Sequence, residues 1–484
     1  MARTPLPLGF VFYQSDSLAF SAQRCVNWIP VASEAPALND RMLMQPLGLK
    51  SFVDTLIDAN RGGMEMKEIS YFVNGNSLIE VSSLGTFTNR GTIPGSGRVS
   101  LANNGQFLVI VIPGLSAFAY DNVANTLTQI TDVNFRIADS VVLKDGFFTF
   151  SASDGSVVFV SSLNDPFTYD GTEFAAANIN PDRIVALHVN HNELFVGGLE
   201  TIEIFQSTGA ASGFPFQRIP GANIQKGLHT KFGTVEFNNT FAFIGGGFNE
   251  ETAIWQISGS SSASKLSTDA IDNEIQKFTR DEIANSFSMT YSERGQFLAL
   301  FTFESTRIPS RTFVYNATAS GRIGQAVWFE FQTGVNDGRF RVQSIVSAYG
   351  KLLVGDDRSG LIGELDHDTL TYYGDPIFRS MATTPFSQDG LPIFAGLFEA
   401  TFQAGVGLTG GDDPIVRLDF SDDGGRTFSS EISRGIGKIG KYGQRSVWER
   451  QGDFPVSRTI RLTITDPVRA NLIRLAANPE LGVQ

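Results

Sequence analysis

Seven stretches of the chain share one rhythm: alternating apolar and polar residues, a turn rich in Asn, Asp or Gly, then a second alternating run. They are SYFVNGNSLIEV (70–81), LANNGQFLVIV (101–111), VVLKDGFFTF (141–150), LHVNHNELFVGG (187–198), EFNNTFAFIGG (236–246), YSERGQFLALF (291–301) and SAYGKLLVGD (347–356). Period-2 alternation about an Asn-Gly, Asp-Gly or Arg-Gly turn is the strongest short-range signal for a β-hairpin. The stretches recur at roughly 30 to 55 residues, near the length one four-stranded propeller blade needs. Seven hairpins predict six or seven blades, one of them split where the ring closes, and six is favoured.

Outside this rhythm the pattern changes three times. The first 60 residues carry Pro5, Pro7, Pro30, Pro36 and Pro46 and read as an extended arm lying on a neighbour or on the first blade. Ser267-Thr268-Asp269 can cap a helix continued by Ile271, Ile275, Phe278 and Ile283, an insertion near 267–285 packed on the propeller. After about residue 370 the blade rhythm stops. Four alternating runs between 395 and 465 (GLFEATFQAGV, PIVRLDFS, FSSEISR, RTIRLTITD) read as a small antiparallel sandwich or meander. Residues 467–479, with Val468, Leu472, Ile473 and Leu475, read as a short terminal helix. The expected organisation is an all-β chain with an arm at 1–60, a propeller at 61–370 and a C-terminal β domain at 371–484.

Composition agrees with many short strands and tight turns: 49 Gly and 41 Phe among 484 residues. Only 18% of residues are charged, which leaves a weakly charged surface of the kind buried against other subunits. The net charge of −13 opposes long-range attraction to nucleic acid, and suits a conduit wall along which DNA slides without sticking. A lone Cys25 excludes an intramolecular disulfide. The N-terminus lacks the apolar region of a signal peptide. The most apolar run, 107–118, is broken by Pro113 and Gly114, so no membrane span is expected.

Candidate chemistry is thin. Ser421, Asp423, Gly425, Thr427 and Phe428 spell the Asp-box pattern S-x-D-x-G-x-T-[WF], in which a carboxylate accepts backbone N–H bonds across a turn. That motif stabilises a hairpin, and a glycosidase would need further copies with an arginine cluster and a Tyr/Glu pair. Gly435, Gly437 and Gly440 spell GxGxxG, but no helix or βαβ unit follows, so they shape a loop. His188, His191 and Glu193 fall in a hairpin turn without the helical spacing of a zinc site, and His229 and His367 are isolated. Acidic turns at 355–358 and 411–414 lack a calcium loop's ligand spacing. No catalytic residue, metal ligand or cofactor site is predicted. One basic stretch does stand out in so acidic a chain. Arg434, Lys438, Lys441, Arg445 and Arg450, opposed by Glu449 alone, could touch DNA phosphate, an acidic face of another subunit, or solvent.

Three stretches carry a family resemblance: FYQSDSLAFSAQRCVNWIPVASE (12–34), the block within 265–331 that opens KLSTDAIDNEIQKFTRDEIANSFSMTYSERGQFLALFTF and closes RTFVYNATASGRIGQAVWFEF, and LDFSDDGGRTFSSEISRGIGKIGKYGQRSVWERQG (418–452). In that order the chain resembles the packaged DNA stabilisation proteins, also called tail nozzle or tail hub proteins, of short-tailed bacteriophages. It departs from their pattern at Gln296, where histidine is common, and in 451–459, which lack a usual Arg-Asp pair. The resemblance implies a non-enzymatic virion protein, assembled in the host cytoplasm into a six-fold ring at the end of the tail. Implied partners are the adaptor ring below the portal, tail spike or fibre proteins, needle or plug proteins, and genomic DNA passing through the lumen. The competing expectations are a tail-associated glycan hydrolase and a receptor-binding propeller.

Overall fold

The computed structural model describes residues 3–176, 182–209, 213–259, 262–336, 338–387, 392–405, 407–408, 411–454 and 456–481. The repeated hairpins build seven blades, the higher of the two counts expected and not the favoured six. Blades 1 to 4 are four-stranded antiparallel meanders at 60–92, 100–129, 138–176 and 184–224. Blade 5 covers 227–265, with two short strands sharing its innermost place, and blade 6 covers 287–331. Blade 7 takes three strands from 342–366, and its fourth, Gly48–Asp54, comes from the other end of the chain. The innermost strands neighbour one another in order, and Val342–Ala348 meets Asn60–Met66 to close the ring. The inner hairpin of this blade is visible at 347–356, but its fourth strand lies far away in the chain and leaves no local trace beside it, so the repeat pattern alone does not separate six blades from seven.

The hairpin turns show why the rhythm is visible. Asp145-Gly146, Asn238-Asn239, Arg294-Gly295 and Tyr349-Gly350 all hold both central residues at positive φ, the geometry whose twist matches the flanking strands. Small hydroxyls then stitch blade to blade at the inner strands. The Ser100 hydroxyl accepts from the Val141 amide at 3.1 Å, Ser140 from the Leu187 amide at 3.3 Å, and Ser344 donates to Asn60 Oδ1 at 2.8 Å.

The first 60 residues, expected as an extended arm on a neighbour or on the first blade, instead contribute strands to the sheets of blades 6 and 7 and of the sandwich. Ala22–Val26 runs parallel to Trp328–Phe331, the outer strand of blade 6, and antiparallel to Arg379–Ala382. The blade 6 sheet thus continues outward through Ser457–Ile464 and Ile415–Ser421 to Ile432–Gly435. A second sheet, ordered Ile29–Ala32, Arg41–Met44, Leu472–Leu481, Ile393–Phe402, Ser446–Glu449, completes a β-sandwich. Trp28, Phe398, Leu418, Trp448, Leu462 and Leu475 are buried between the sheets, in one core continuous with Phe287, Leu298 and Leu300 of blade 6 and Val354 of blade 7. Buried indole N–H groups need acceptors: Trp28 donates to Ala470 O at 2.9 Å and Trp448 to Ile432 O at 2.8 Å.

Two helical expectations change. The insertion is two short helices, α1 (Asp269–Ile275) and α2 (Arg280–Ala284), separated because Thr279 begins a new capping box with Glu282. Their apolar residues Ile271, Ile275 and Ile283 are buried, with Phe278 of the connecting turn. The expected terminal helix at 467–479 is instead largely the strand Leu472–Leu481, paired with Ile393–Phe402. Its apolar spacing is ambiguous, and the ladder offered by the neighbouring strand overrides local preference.

Candidate functional site

The three stretches that carry the family resemblance meet around Ala22–Val26. Arg24 Nε donates to Glu330 at 2.5 Å, and Arg311 Nη1 donates to the same carboxylate at 2.8 Å, so one buried acid holds two arginines from distant parts of the chain. Gly424 and Gly425, at φ +77° and +90°, lie so close to this segment that added Cβ atoms would stand 2.8 Å from Ala19 Cα and 2.7 Å from Ala22 Cβ. Both glycines are needed, for conformation and for approach. Gln296 is also buried: its Oε1 accepts from Asn316 Nδ2 at 3.0 Å, and Asn316 donates in turn to Pro30 O at 2.8 Å. Its acceptor role is one that a neutral imidazole nitrogen also fills.

Ser421, Asp423, Gly425, Thr427 and Phe428 are drawn together in one turn. Asp423 Oδ1 accepts from the Ser421 hydroxyl at 2.7 Å and from the Arg426 and Thr427 amides at 2.9 Å, while Oδ2 accepts from the Thr427 hydroxyl at 2.6 Å. The Gly425 amide donates to the Ser421 hydroxyl at 2.7 Å. The Thr427 hydroxyl and amide, with Ser421, hold the Asp423 carboxyl well below the usual range. Phe428 packs under the Arg461 guanidinium, 3.8 Å from its ring centroid. The motif's carboxylate is thus occupied within its own hairpin. We expect Asp423→Asn to speed amide exchange at Arg426 and Thr427 while global unfolding moves little; hydrogen exchange with mass readout checks this.

The basic residues do not form one cluster. Arg434 Nε donates to Val447 O at 2.8 Å along the sheet edge, and Arg445 pairs with the buried Glu399 at 3.3 Å. Lys438, Lys441 and Arg450 are exposed and form no ion pair among the described residues. Gly435, Gly437 and Gly440 shape the loop that presents the two lysines. The Gly437 amide donates to Asp413 Oδ1 at 2.7 Å, and the next element is a strand, Ser446–Glu449.

The histidines are structural. The His188 ring lies 4.2 Å from that of Phe241, and burial lowers its pKa to about 4, so it stays neutral near pH 7. His191 occupies a turn at φ 51°. His229 Nδ1 shares a 2.7 Å hydrogen bond with the Thr252 hydroxyl across blade 5, and His367 Nδ1 lies 2.9 Å from the Arg469 guanidinium at the surface. Among the described residues, no group of three or more His, Cys, Asp or Glu is placed to hold a metal ion. No helix among them is long and apolar enough to cross a membrane.

What sequence reasoning missed lies at the junction of propeller and sandwich. Arg379, fully buried, donates to Gln45 Oε1, to Val468 O at 2.7 Å and to Asp466 O. Burial lowers its pKa to about 10, so it stays charged. Glu293 is buried against Arg294, whose guanidinium is 3.1 Å away, with the Tyr291 hydroxyl donating at 3.3 Å, the Leu47 amide, and Tyr372 nearby. Burial raises the Glu293 carboxyl from 4.5 to about 7. Across that window the fold holds a proton that the unfolded chain has lost. The stability from this group is therefore full below about pH 4.5 and is lost as pH rises through about 7, a contribution of about 3 kcal/mol. We expect the melting temperature of Glu293→Gln to fall less than that of the parent between about pH 5 and 8, as read by calorimetry.

The family described as "Bacteriophage P22 Gp10, beta-propeller" matches residues 3–370, and that described as "Bacteriophage P22 Gp10, beta-sandwich" matches 379–480. The chain belongs to the P22 Gp10 family. A curated relative, the tail hub protein gp10 of Salmonella phage P22, is 23% identical over 374 residues, covering 75% of this chain and 76% of its own length. Family membership makes the chain a structural component of the phage tail. Solved structures it resembles include the RRP9 WD40 repeats (TM-score 0.41, 11% identity, 66% of this chain, 99% of that one) and U3-55K (TM-score 0.40, 11% identity, the same coverage).

Proposed function

We propose that this chain is the subunit of a homohexameric nozzle that closes the phage tail, retains packaged DNA and conducts it outward on ejection. The observation that carries this is the match of both domains, in order, to the family of the P22 tail hub protein. The site chemistry supports a non-enzymatic role. The Asp-box carboxylate is fully engaged within its own hairpin, and the glycine motif shapes a loop. The net charge of −13 suits a wall that does not hold phosphate. Its partners in this reading are the adaptor ring below the portal, the spike or fibre and needle or plug proteins, and the DNA in transit.

The test is a phage carrying a stop codon early in this gene. Its heads are expected to package DNA and then lose it, leaving genomes open to added nuclease. Particles that keep a nuclease-resistant genome without this protein would overturn the reading.

A further inference from the structure

Charge is segregated along this chain. Residues 1–378 hold 25 Lys and Arg against 38 Asp and Glu, whereas 379–484 hold 12 of each, so the net −13 lies outside the C-terminal sandwich segment. Blades 2 and 3, residues 100–176, concentrate it, with eight acids against two bases. Of those bases, Lys144 is buried beside Asp145, and Arg136 lies over the Phe174 ring. In a ring of seven, blade 3 stands opposite blades 6 and 7, the blades against which the sandwich is built.

Both ends of this axis expose apolar side chains. On blade 3 and the segment leading into it, Val133 is 94% and Phe174 44% exposed. They are held near one another, since Asn134 Nδ2 donates to Tyr169 O at 3.0 Å and Arg136 covers Phe174. Asp132, Asp170 and Glu173 belong to the same two segments, and burial and Asp170 raise the Glu173 carboxyl. On the sandwich, the loop at 437–443 exposes 61% of Ile439 and 77% of Tyr442 between and beside Lys438 and Lys441. Both apolar side chains abut glycines, Gly407 and Gly405, so the loop tip is seated.

A two-fold contact centred on the tip would set one basic tip against another. A head-to-tail contact sets the tip against the acidic rim, and repetition of one such contact builds a ring when its rotation closes. We infer that the 437–443 loop of one copy docks on the blade 3 rim, around Val133 and Phe174, of the next copy. Tyr442 and Ile439 fill the apolar centre, and Lys438 and Lys441 face Asp132, Asp170 and Glu173. This inference rests on the reading of the chain as a ring subunit.

Cysteine cross-linking in purified virions tests it, since the native Cys25 is buried and silent. Particles carrying Tyr442→Cys with Phe174→Cys, treated with a short bis-maleimide, are expected to give a ladder of multimers of this chain. Either single variant is expected to give none. Rings visible in the particles without a ladder would overturn the contact and leave the ring reading standing. Virions lacking a ring of this chain would overturn both. Cross-linking of Tyr442→Cys to a different tail protein would overturn the contact in favour of that protein. Charge reversal supplies a second measurement. Lys438→Glu with Lys441→Glu is expected to reduce incorporation into particles by about tenfold or more, and Asp170→Lys with Glu173→Lys in the same chain to restore it. Unchanged incorporation of the first variant would contradict the proposal.

Discussion

A chain beginning at residue 55 is expected to fail to fold. Gly48–Asp54 is the fourth strand of blade 7 and pairs with Leu361–Asp366 along its whole length. Its Leu49 is fully buried in the shared core. Without it blade 7 keeps three strands, its outer edge is left unpaired, and the sandwich also loses Ala22–Val26, Ile29–Ala32 and Arg41–Met44. A narrower change isolates the closing strand. Leu49→Ala leaves a cavity in a packed core and is expected to cost about 2–5 kcal/mol. Denaturant unfolding measures the point variant, and solubility with circular dichroism reports on the truncation. A truncated chain that stayed soluble with an unchanged unfolding transition would contradict this closure.

Arg379→Ala is expected to be among the most damaging single substitutions, at about 3–5 kcal/mol. The side chain is fully buried, and its removal strips the donors from Gln45 Oε1, Val468 O and Asp466 O. These acceptors come from the N-terminal segment and from the segment leading into the last strand, so one guanidinium joins three distant parts of the chain. Arg379→Lys is not expected to rescue, because a single ammonium lacks the planar fork that reaches separate acceptors. Urea unfolding followed by tryptophan fluorescence checks both variants, and a loss under about 1 kcal/mol for Arg379→Ala would sink the assignment.

The contrast between what the sequence makes legible and what it hides follows from range. Hairpins at 141–150 and 291–301 announce themselves because Asp145-Gly146 and Arg294-Gly295 must hold positive φ, and the residue types show it. The blade 1 inner hairpin turns at Lys67-Glu68, also both at positive φ, with no Gly or Asn to mark it. The pattern at 70–81 therefore marks the next hairpin of that blade instead. The Asp-box is legible because its bonds are local to one turn. The basic loop is legible as composition, but its separation into paired Arg445 and exposed Lys438 and Lys441 depends on where Glu399 sits in the fold. Arg379 and Glu293 carry no local signature. Their roles arise from burial between segments far apart in the chain, as does the passage of the N-terminal residues through the sandwich and into blade 7.

Whether this chain forms the ring at the end of the phage tail is decided most directly by electron cryomicroscopy of the intact virion. Six copies are expected around the tail axis, each resolving a seven-bladed lobe joined to a sandwich. Virions in which the tail tip is built without this chain, or which hold it as a single copy off the axis, would contradict that assembly.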